Sequence, residues 1–184
     1  MVGLFLLATA GTGELRLIRQ NAWTPSWSPD GRKLAFTVEY PRGHGRIHTA
    51  NADGTGEAAL GSPNVNNGSP VWSPNGREIA FDQRTDQDRR EQVFVIKADG
   101  SDIRQVTTDS AWSCASPSWS PDGDYLSVSC RSAEKPCGLG VFSTGEKMPE
   151  CDRRVFLVPV ASGSAGSRMK LFDHDGASAS FAPR

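Results

Sequence analysis

The chain has 184 residues, with 20 basic and 21 acidic side chains and a formal net charge of −1. These charges are spread along the sequence, so the basic patch of a nucleic-acid-binding protein is absent. A hydrophobic share of 37%, together with 19 glycines and 12 prolines, favours short strands and tight turns over long helices. No apolar run approaches the roughly 18 residues that a membrane span needs.

The first segment, residues 1–20, contains the apolar run LFLLATA, followed by the turn-forming residues GTG. No Lys or Arg precedes this run, which is also too short for the apolar core of a typical signal peptide. The segment aligns with later hairpins of the chain. We therefore predict that residues 1–20 form the second hairpin of a preceding repeat.

The stretch PSWSPDGRKLAF, from Pro25 to Phe36, occurs three times at intervals of about 45 residues. Its second and third copies are PVWSPNGREIAF and PSWSPDGDYLSV. Proline presets φ for the first central position of a turn, Asp or Asn bonds nearby backbone N–H groups, and Gly accepts a positive φ. Each copy is therefore predicted to be a β-hairpin with a tight turn.

A second hairpin follows each of these copies, for example QVFVIKADGSDIRQVT in residues 92–107, where Asp-Gly forms the turn. Four strands in each period are the content of one β-propeller blade. The predicted organisation of the single domain 1–184 comprises the hairpin 1–20, blades 21–61, 62–108 and 109–175, a cysteine-bearing insertion 131–154, and the first strand of a next blade at 176–184.

These residues resemble the repeat of TolB-type, WD40-like (PD40) propellers, whose hairpin reads P-x-W-S-P-D-G-x-x-[IL]-A-F. The resemblance covers nearly all of the chain and implies an all-β fold with four-stranded antiparallel blades. In that family the repeats form a closed ring, often of six blades. With three complete units and a partial blade at each end, we expect an incomplete ring.

The repeated residues are predicted to be structural. The three motif tryptophans should pack between adjacent blades, because a large aromatic side chain supplies the buried area that short strands need. The Pro, Asp or Asn, and Gly residues should form the turn that closes each hairpin. These repeat residues are Trp27, Pro29, Asp30, Gly31, Trp72, Pro74, Asn75, Gly76, Trp119, Pro121, Asp122 and Gly123.

Four cysteines fall in one third of the chain: Cys114, Cys130, Cys137 and Cys151. An even, clustered set favours disulfides, with buried free thiols as the alternative. Cys114 and Cys130 are placed symmetrically about the third hairpin turn, which favours a cross-strand bond, and Cys137 with Cys151 would then close the insertion. A four-cysteine zinc site is disfavoured because no C-x₂-C pair is present.

Binding residues are expected where the copies differ, since loops on a rigid scaffold commonly carry function. The predicted partner-binding loops contain two aromatic residues and a charged run: Trp23, His44, Arg84, Asp86, Arg89, Arg90 and Trp112. His44 and His48 are four residues apart, but they lie in a Gly-rich loop that enters a strand and not on a helix, and no Glu lies between them. We therefore expect both side chains to lie in solvent or to pack within loops.

Motifs for catalysis and cofactor binding are missing from the sequence. There is no G-x-S-x-G and no Gly-Lys-Ser/Thr phosphate loop, and the calcium-like stretch NADGTGEAALGS lacks the final Glu. We therefore expect no catalytic residue, no metal and no cofactor on this chain.

The sequence thus predicts a non-catalytic interaction module that presents loops to a protein or peptide. Export to the periplasm or the cell exterior is expected from the cysteines. The alternative is an accessory propeller of a larger enzyme, such as a prolyl-oligopeptidase-like peptidase, or of a sensor protein. Open blade edges would favour self-association.

Overall fold

The computed structural model describes residues 2–8, 13–41, 43–63, 65–84, 90–134, 152–160 and 170–171. In this part of the chain every regular element is a strand. The strands are β1 (Gly3–Leu7), β2 (Leu15–Gln20), β3 (Ala22–Trp27), β4 (Lys33–Tyr40), β5 (His44–Asn51), β6 (Ala58–Ala59), β7 (Asn66–Trp72), β8 (Glu78–Arg84), β9 (Glu91–Lys97), β10 (Arg104–Gln105), β11 (Trp112–Trp119), β12 (Tyr125–Ser132), β13 (Arg153–Pro159) and β14 (Lys170–Leu171).

The strands form three four-stranded antiparallel sheets and one two-stranded sheet. We call β1–β2 the N-terminal hairpin, β3–β6 the first blade, β7–β10 the second blade and β11–β14 the third blade. Within each blade the strands pair in chain order, and the first strands of successive blades contact one another. The predicted all-β propeller blades are confirmed, and the described sheets do not close into a ring. The expected strand at 176–184 lies outside the described residues.

The repeated turns form because each supplies its own hydrogen-bond partners. In the first blade, the Asp30 carboxylate accepts bonds from the Ser28 hydroxyl (2.6 Å) and the Arg32 N–H (3.0 Å). These two bonds lower the pKa of the Asp30 carboxyl. Asn75 and Asp122 accept the same pair of bonds in the other blades. The glycine that follows has a φ of 69° in the first blade, which side chains with a Cβ adopt only at a cost.

The core lies between the sheets. Leu4 and Ile18 of the N-terminal hairpin pack against the first blade, around Phe36. Ala35 and Ile47 of the first blade contact the second, and a third cluster joins the second and third blades. Because each apolar cluster draws residues from two neighbouring sheets, burial holds consecutive blades face to face.

The motif tryptophans extend these contacts, with one exception. Trp72 is 8% exposed and lies in the cluster between the first and second blades. Trp119 is partly buried, and its Nε1–H donates to the carbonyl of Val71 in the preceding blade (3.1 Å). Trp27 is 48% exposed. The prediction of burial is therefore wrong for Trp27. In the third blade, Trp119 packs beside β7, the first strand of the preceding blade. The sheet that precedes Trp27 consists of β1 and β2 alone among the described residues, so it offers no such strand.

The predicted cross-strand disulfide is present. Cys114 on β11 lies directly opposite Cys130 on β12, and the two are bonded. Both side chains are buried among Val128 and Phe156. The other two cysteines, Cys137 and Cys151, lie outside the described residues.

Candidate functional site

The predicted binding loops converge on one side of the molecule. We call this side the loop face: there the first strand of each blade begins (Ala22, Asn66, Trp112) and the second strand ends (Tyr40, Arg84, Ser132). The opposite side, the turn face, carries the Ser-Pro-Asp/Asn-Gly turns. The blades are in the same orientation, since Gly76 lies against Pro29 and Gly123 against Pro74 at the turn face.

Each first strand contains a bulge near the loop face. Thr24, Ser69 and Ser116 occupy equivalent places, three residues before the motif tryptophan, and their φ angles are 50°, 49° and 54°. The pairing register shifts at each of these sites. A positive φ in a hydroxyl residue that precedes proline is unusual, and such backbone strain is often found at functional sites.

Asp82 lies beside two of these bulges. It stands where the other blades carry Thr37 and Ser129, and it was not singled out from the sequence. Its carboxylate contacts the Ser69 hydroxyl and accepts from the Ser116 N–H of the next blade (3.3 Å). Burial raises the pKa of the Asp82 carboxyl, and these two hydrogen bonds oppose that rise. Alignment of the three copies shows a carboxylate at Asp82 where the other copies have a hydroxyl. This difference is the sequence signal by which Asp82 could have been found.

Polar side chains join the second and third blades along the loop face. Arg131 Nη2 lies 3.3 Å from Glu91 Oε2, and the Gln92 side-chain amide donates to the Trp112 carbonyl (2.8 Å). Arg90 donates to the Ser110 carbonyl (2.6 Å). These contacts fix the surroundings of the predicted site residues Arg90 and Trp112.

The two predicted aromatic residues are partly buried. The Trp112 ring packs edge-on against Phe156, with centroids 5.1 Å apart, and the Arg154 guanidinium lies 5.3 Å from the Trp112 ring centroid. Trp23 lies opposite Thr37 in the first blade. Each ring therefore offers part of its surface at the loop face, and the rest contributes to packing.

The remaining predicted residues divide between described and undescribed parts of the chain. His44 begins β5 and Arg84 ends β8, where it lies opposite Asn66 and Glu91. Asp86 and Arg89 lie outside the described residues. The structure thus brings Trp23, His44, Arg84, Arg90 and Trp112 to the same side of the blades.

His48 is placed differently from the expectation of solvent or loop packing. It is buried in β5, with Nε2 3.1 Å from the Tyr40 hydroxyl and Nδ1 2.7 Å from Glu57 Oε1. Glu57 also pairs with Arg19 of the N-terminal hairpin, at 3.1 Å. Burial lowers the pKa of His48, whereas Glu57 opposes this effect. The signal in the sequence is that His48 aligns with the core residues Phe94 and Phe156.

Two open pockets lie on the described surface. A pocket of about 120 Å³ near the loop face of the third blade is lined by Glu91, Ser113, Ala115, Ser116, Ser129, Cys130, Arg131 and Arg153. A larger groove of about 540 Å³ lies at the turn face, lined by Asn75, Arg77, Glu78, Lys97, Ala98 and Asp99. Both pockets are lined by acidic and basic side chains and by hydrogen-bonding groups, which suit polar segments of another protein.

Among the described residues, no group of three or more His, Cys, Asp or Glu side chains converges as a metal-binding cluster would. The same residues contain no helix of the length and apolarity that a membrane crossing requires.

Comparison with solved structures gives the same fold. A putative TolB from Agrobacterium tumefaciens matches 92% of this chain with 26% identity and a TM-score of 0.70, over 55% of its own length. TolB from Acinetobacter baumannii matches with 15% identity and a TM-score of 0.62, covering 92% of this chain and 37% of that one. The β-propeller domain of the trilobed protease from Pyrococcus furiosus, at 14% identity, has a TM-score of 0.55, with 88% and 46% of the two chains covered. The chain thus spans about half, or less, of the length of these proteins.

No curated protein sequence matches the chain. A family model does match it, and this match is more specific than the structural ones. The model of the TolB β-propeller domain (PD40) matches residues 3–147. This range contains all three copies of the tryptophan hairpin and most of the strands described above. Because the match extends over well more than half of the sequence, the chain belongs to the TolB β-propeller domain family.

Proposed function

We propose that this propeller is a non-catalytic interaction module whose loop face binds a protein or peptide partner in the cell envelope. The observation that carries the proposal is the convergence of Trp23, His44, Arg84, Arg90 and Trp112 on that face. Aromatic and arginine side chains contribute disproportionately to protein interfaces. The bulged first strands place hydrogen-bonding groups beside them.

The chemistry of the loop face favours a polar, extended partner. Glu91 supplies a carboxylate, and Arg84 and Arg131 supply guanidinium groups, within the same stretch of the second and third blades. Mixed charges of this kind give specificity through complementary pairing. A peptide segment with both basic and acidic residues would match this pattern.

An envelope location is supported by the disulfide and by the family. A buried disulfide such as Cys114–Cys130 is typical of oxidising compartments, such as the periplasm or the cell exterior. The family model and two of the structural matches carry the name TolB, and TolB-like homologues are periplasmic. Both observations agree with a partner that is itself exported.

The test uses a peptide array tiled across bacterial envelope lipoproteins, followed by titration of the binding peptides. Arg84→Glu should weaken binding at least about tenfold, which corresponds to about 1.4 kcal/mol. The matched control is Arg77→Glu, which makes the same charge reversal in the turn-face groove and should leave the affinity unchanged. Loss of binding in R77E with normal binding in R84E would place the site on the wrong face and contradict the proposal, as would an array without any binder.

A second candidate is an accessory propeller in a larger enzyme. It is favoured by the presence of this fold in the trilobed protease and in an acylaminoacyl peptidase from Pyrococcus horikoshii. In that case the coding region around this sequence should include a hydrolase domain with a G-x-S-x-G nucleophile turn. Deletion of residues 1–184 from such a protein should change its selection of peptides by length, measured with a substrate series. A gene without any such domain would exclude this candidate.

A further inference from the structure

We propose that the chain associates head to tail with a second copy of itself, an interaction separate from the loop face. The hairpin surface is formed by Phe5, Leu7, Leu15 and Leu17 on the side of the N-terminal hairpin that faces away from the first blade. The third-blade surface is formed by Ser127, Ser129, Val155 and Leu157 on β12 and β13. The hairpin surface of one copy binds the third-blade surface of the other.

The hairpin surface is an exposed apolar strip. Phe5 lies opposite Leu17, and Leu7 lies opposite Leu15, so the four side chains share one side of the two-stranded sheet. Their exposed fractions range from 40% to 61%. On the other side of the same sheet, Leu4 and Ile18 pack on the first blade. A contiguous apolar strip of this kind marks an interaction surface.

The later blades show what covers a surface of this type. Phe156 and Val158 of the third blade hold the positions of Phe5 and Leu7, and they are buried against the second blade. The receiving residues there are Ala80, Val93 and Val95. In the second blade, Phe94 and Ile96 pack in the same way against Ala35 and Ile47 of the first. The natural occupant of the hairpin surface is therefore the outward side of another blade.

In the described part of the chain, the third blade carries a receiving side of the same kind, and this side is exposed at Val155. In the second blade Ala80 pairs with Val95 and Asp82 with Val93. In the third blade Ser127 pairs with Leu157 and Ser129 with Val155, which places small and aliphatic side chains at the same points. Val155 is 47% exposed, although its counterpart Val93 is fully buried. Both halves of one further blade interface are thus present and exposed on the same molecule.

A second copy fits this arrangement because one chain provides both complementary surfaces. Contact between two different patches is a heterologous interface, which either closes a ring of copies or extends into a chain. Burial of four apolar side chains on one half and of Val155 and Leu157 on the other provides the driving force.

Light scattering after gel filtration, and sedimentation velocity over a hundredfold concentration range, test the proposal on the 184-residue chain. The wild type should increase in mass with concentration. Leu15→Lys and Val155→Lys each place a charge in one surface, so each should weaken self-association at least about tenfold. Leu7→Lys serves as a second hairpin variant, and circular dichroism checks that each variant is folded. Ile103→Lys, at an exposed site between β9 and β10, is the control and should associate like the wild type.

The decisive measurement mixes L15K with V155K. The first variant keeps its third-blade surface and the second keeps its hairpin surface, so the mixture should form a complex of two chains that neither forms alone. Normal association of V155K would show that hairpins pair with each other instead. That result, a mixture that stays monomeric, or a wild type that is monomeric at every concentration would each overturn the proposal.

Discussion

His48 is a polar side chain at a position where the other blades use an aromatic core residue. It lies opposite Phe36, as Phe94 lies opposite Phe81 in the second blade. Its two ring nitrogens approach Tyr40 and Glu57, so the imidazole replaces apolar packing with specific contacts. Through Glu57 and Arg19, these contacts also tie the first blade to the N-terminal hairpin.

We expect His48 to make the stability of the protein fall on acidification. Burial lowers the pKa of His48 below its usual 6.5, with Glu57 opposing and Arg19 and Arg46 adding to the decrease. The unfolded chain therefore binds this proton more readily, and the free energy of unfolding decreases as the pH falls below 6.5 towards the pKa of the folded state. The slope from one such group is at most about 1.4 kcal/mol per pH unit.

Urea unfolding at pH 5, 6 and 7 measures this effect. His48→Phe, which installs the residue of the other blades, should flatten the difference between pH 7 and pH 5. His44→Gln, which leaves the Glu57 contact in place, is the control and should keep the wild-type slope. An unchanged slope in H48F would contradict the assignment to this side chain.

Asp82 is a second residue whose side chain differs in chemical type from those at the same position in the other blades. Thr37 bonds the Thr24 hydroxyl within its own blade (2.8 Å). Asp82 reaches further and accepts from the Ser116 N–H of the next blade. The Asp82 carboxylate contacts Ser69 in its own blade and Ser116 in the next, so it joins the bulges of two neighbouring first strands.

At the scale of the element, the repeated hairpin depends on a side-chain acceptor in its turn. Asn75 Oδ1 accepts from the Ser73 hydroxyl (2.8 Å) and from the Arg77 N–H (2.9 Å). The other two blades make both bonds with an aspartate. The turn therefore needs the oxygen and tolerates either side chain.

Asn75→Ala should reduce the free energy of unfolding by about 1 kcal/mol, as loss of a comparable helix-capping acceptor does. Asn75→Asp should be nearly neutral at pH 7, because the chain itself uses Asp at this place. In N75D, acidification should then remove stability as the new carboxylate is protonated, since such turn bonds lower the pKa of Asp30 and Asp122. Thermal unfolding of the three proteins checks this order, and equal losses in N75A and N75D would contradict it.

The third hairpin has an additional covalent constraint. The Cys114–Cys130 bond joins positions separated by 16 residues and lies in the core beside Phe156. In the chain-entropy model, closing a loop of this size stabilises the fold by about 3 kcal/mol. Cys114→Ala with Cys130→Ala should therefore lower the free energy of unfolding by about 2–4 kcal/mol.

Dithiothreitol separates this effect from cavity formation. The wild type should lose more stability on reduction than the double variant, which keeps only the predicted Cys137–Cys151 pair as a target of the reductant. Cys137→Ser with Cys151→Ser is the matched control, which should still respond to the reductant. A double variant as sensitive to reduction as the wild type would assign the effect to other cysteines.

Local features were predictable from the sequence, and features that depend on a neighbouring sheet were not. The turn at Asp30 and the facing of Cys114 and Cys130 follow from residues within one hairpin, so the sequence pattern contains the full cause. The contacts of His48 with Glu57, and through Glu57 with Arg19, join residues of different sheets. The exposure of Trp27 depends on what lies next to β3. A single repeat motif does not encode either contact.

At the scale of the whole molecule, stability comes from interfaces that repeat between blades. Trp72 donates its backbone N–H to the Ser26 hydroxyl (3.2 Å), and Trp119 bonds the carbonyl of Val71. Trp72 and Trp119 thus each contact the blade before them. In such arrays of repeats, the free energy of unfolding is approximately the sum of the intrinsic stability of each repeat and the contribution of each interface between neighbours.

This architecture predicts different costs for the same substitution in different copies of the motif. Trp72→Ala removes a buried aromatic side chain between two blades and should reduce the free energy of unfolding by about 3–5 kcal/mol. Trp27→Ala removes a half-exposed ring and should cost less than about 1 kcal/mol. Urea unfolding, at concentrations low enough to keep the chain monomeric, compares the two. Trp72→Phe, which restores most of the apolar volume, should recover much of the loss. If W27A and W72A cost the same, the tryptophans would act within their own hairpins, and the interface between blades would not be the source of their contribution.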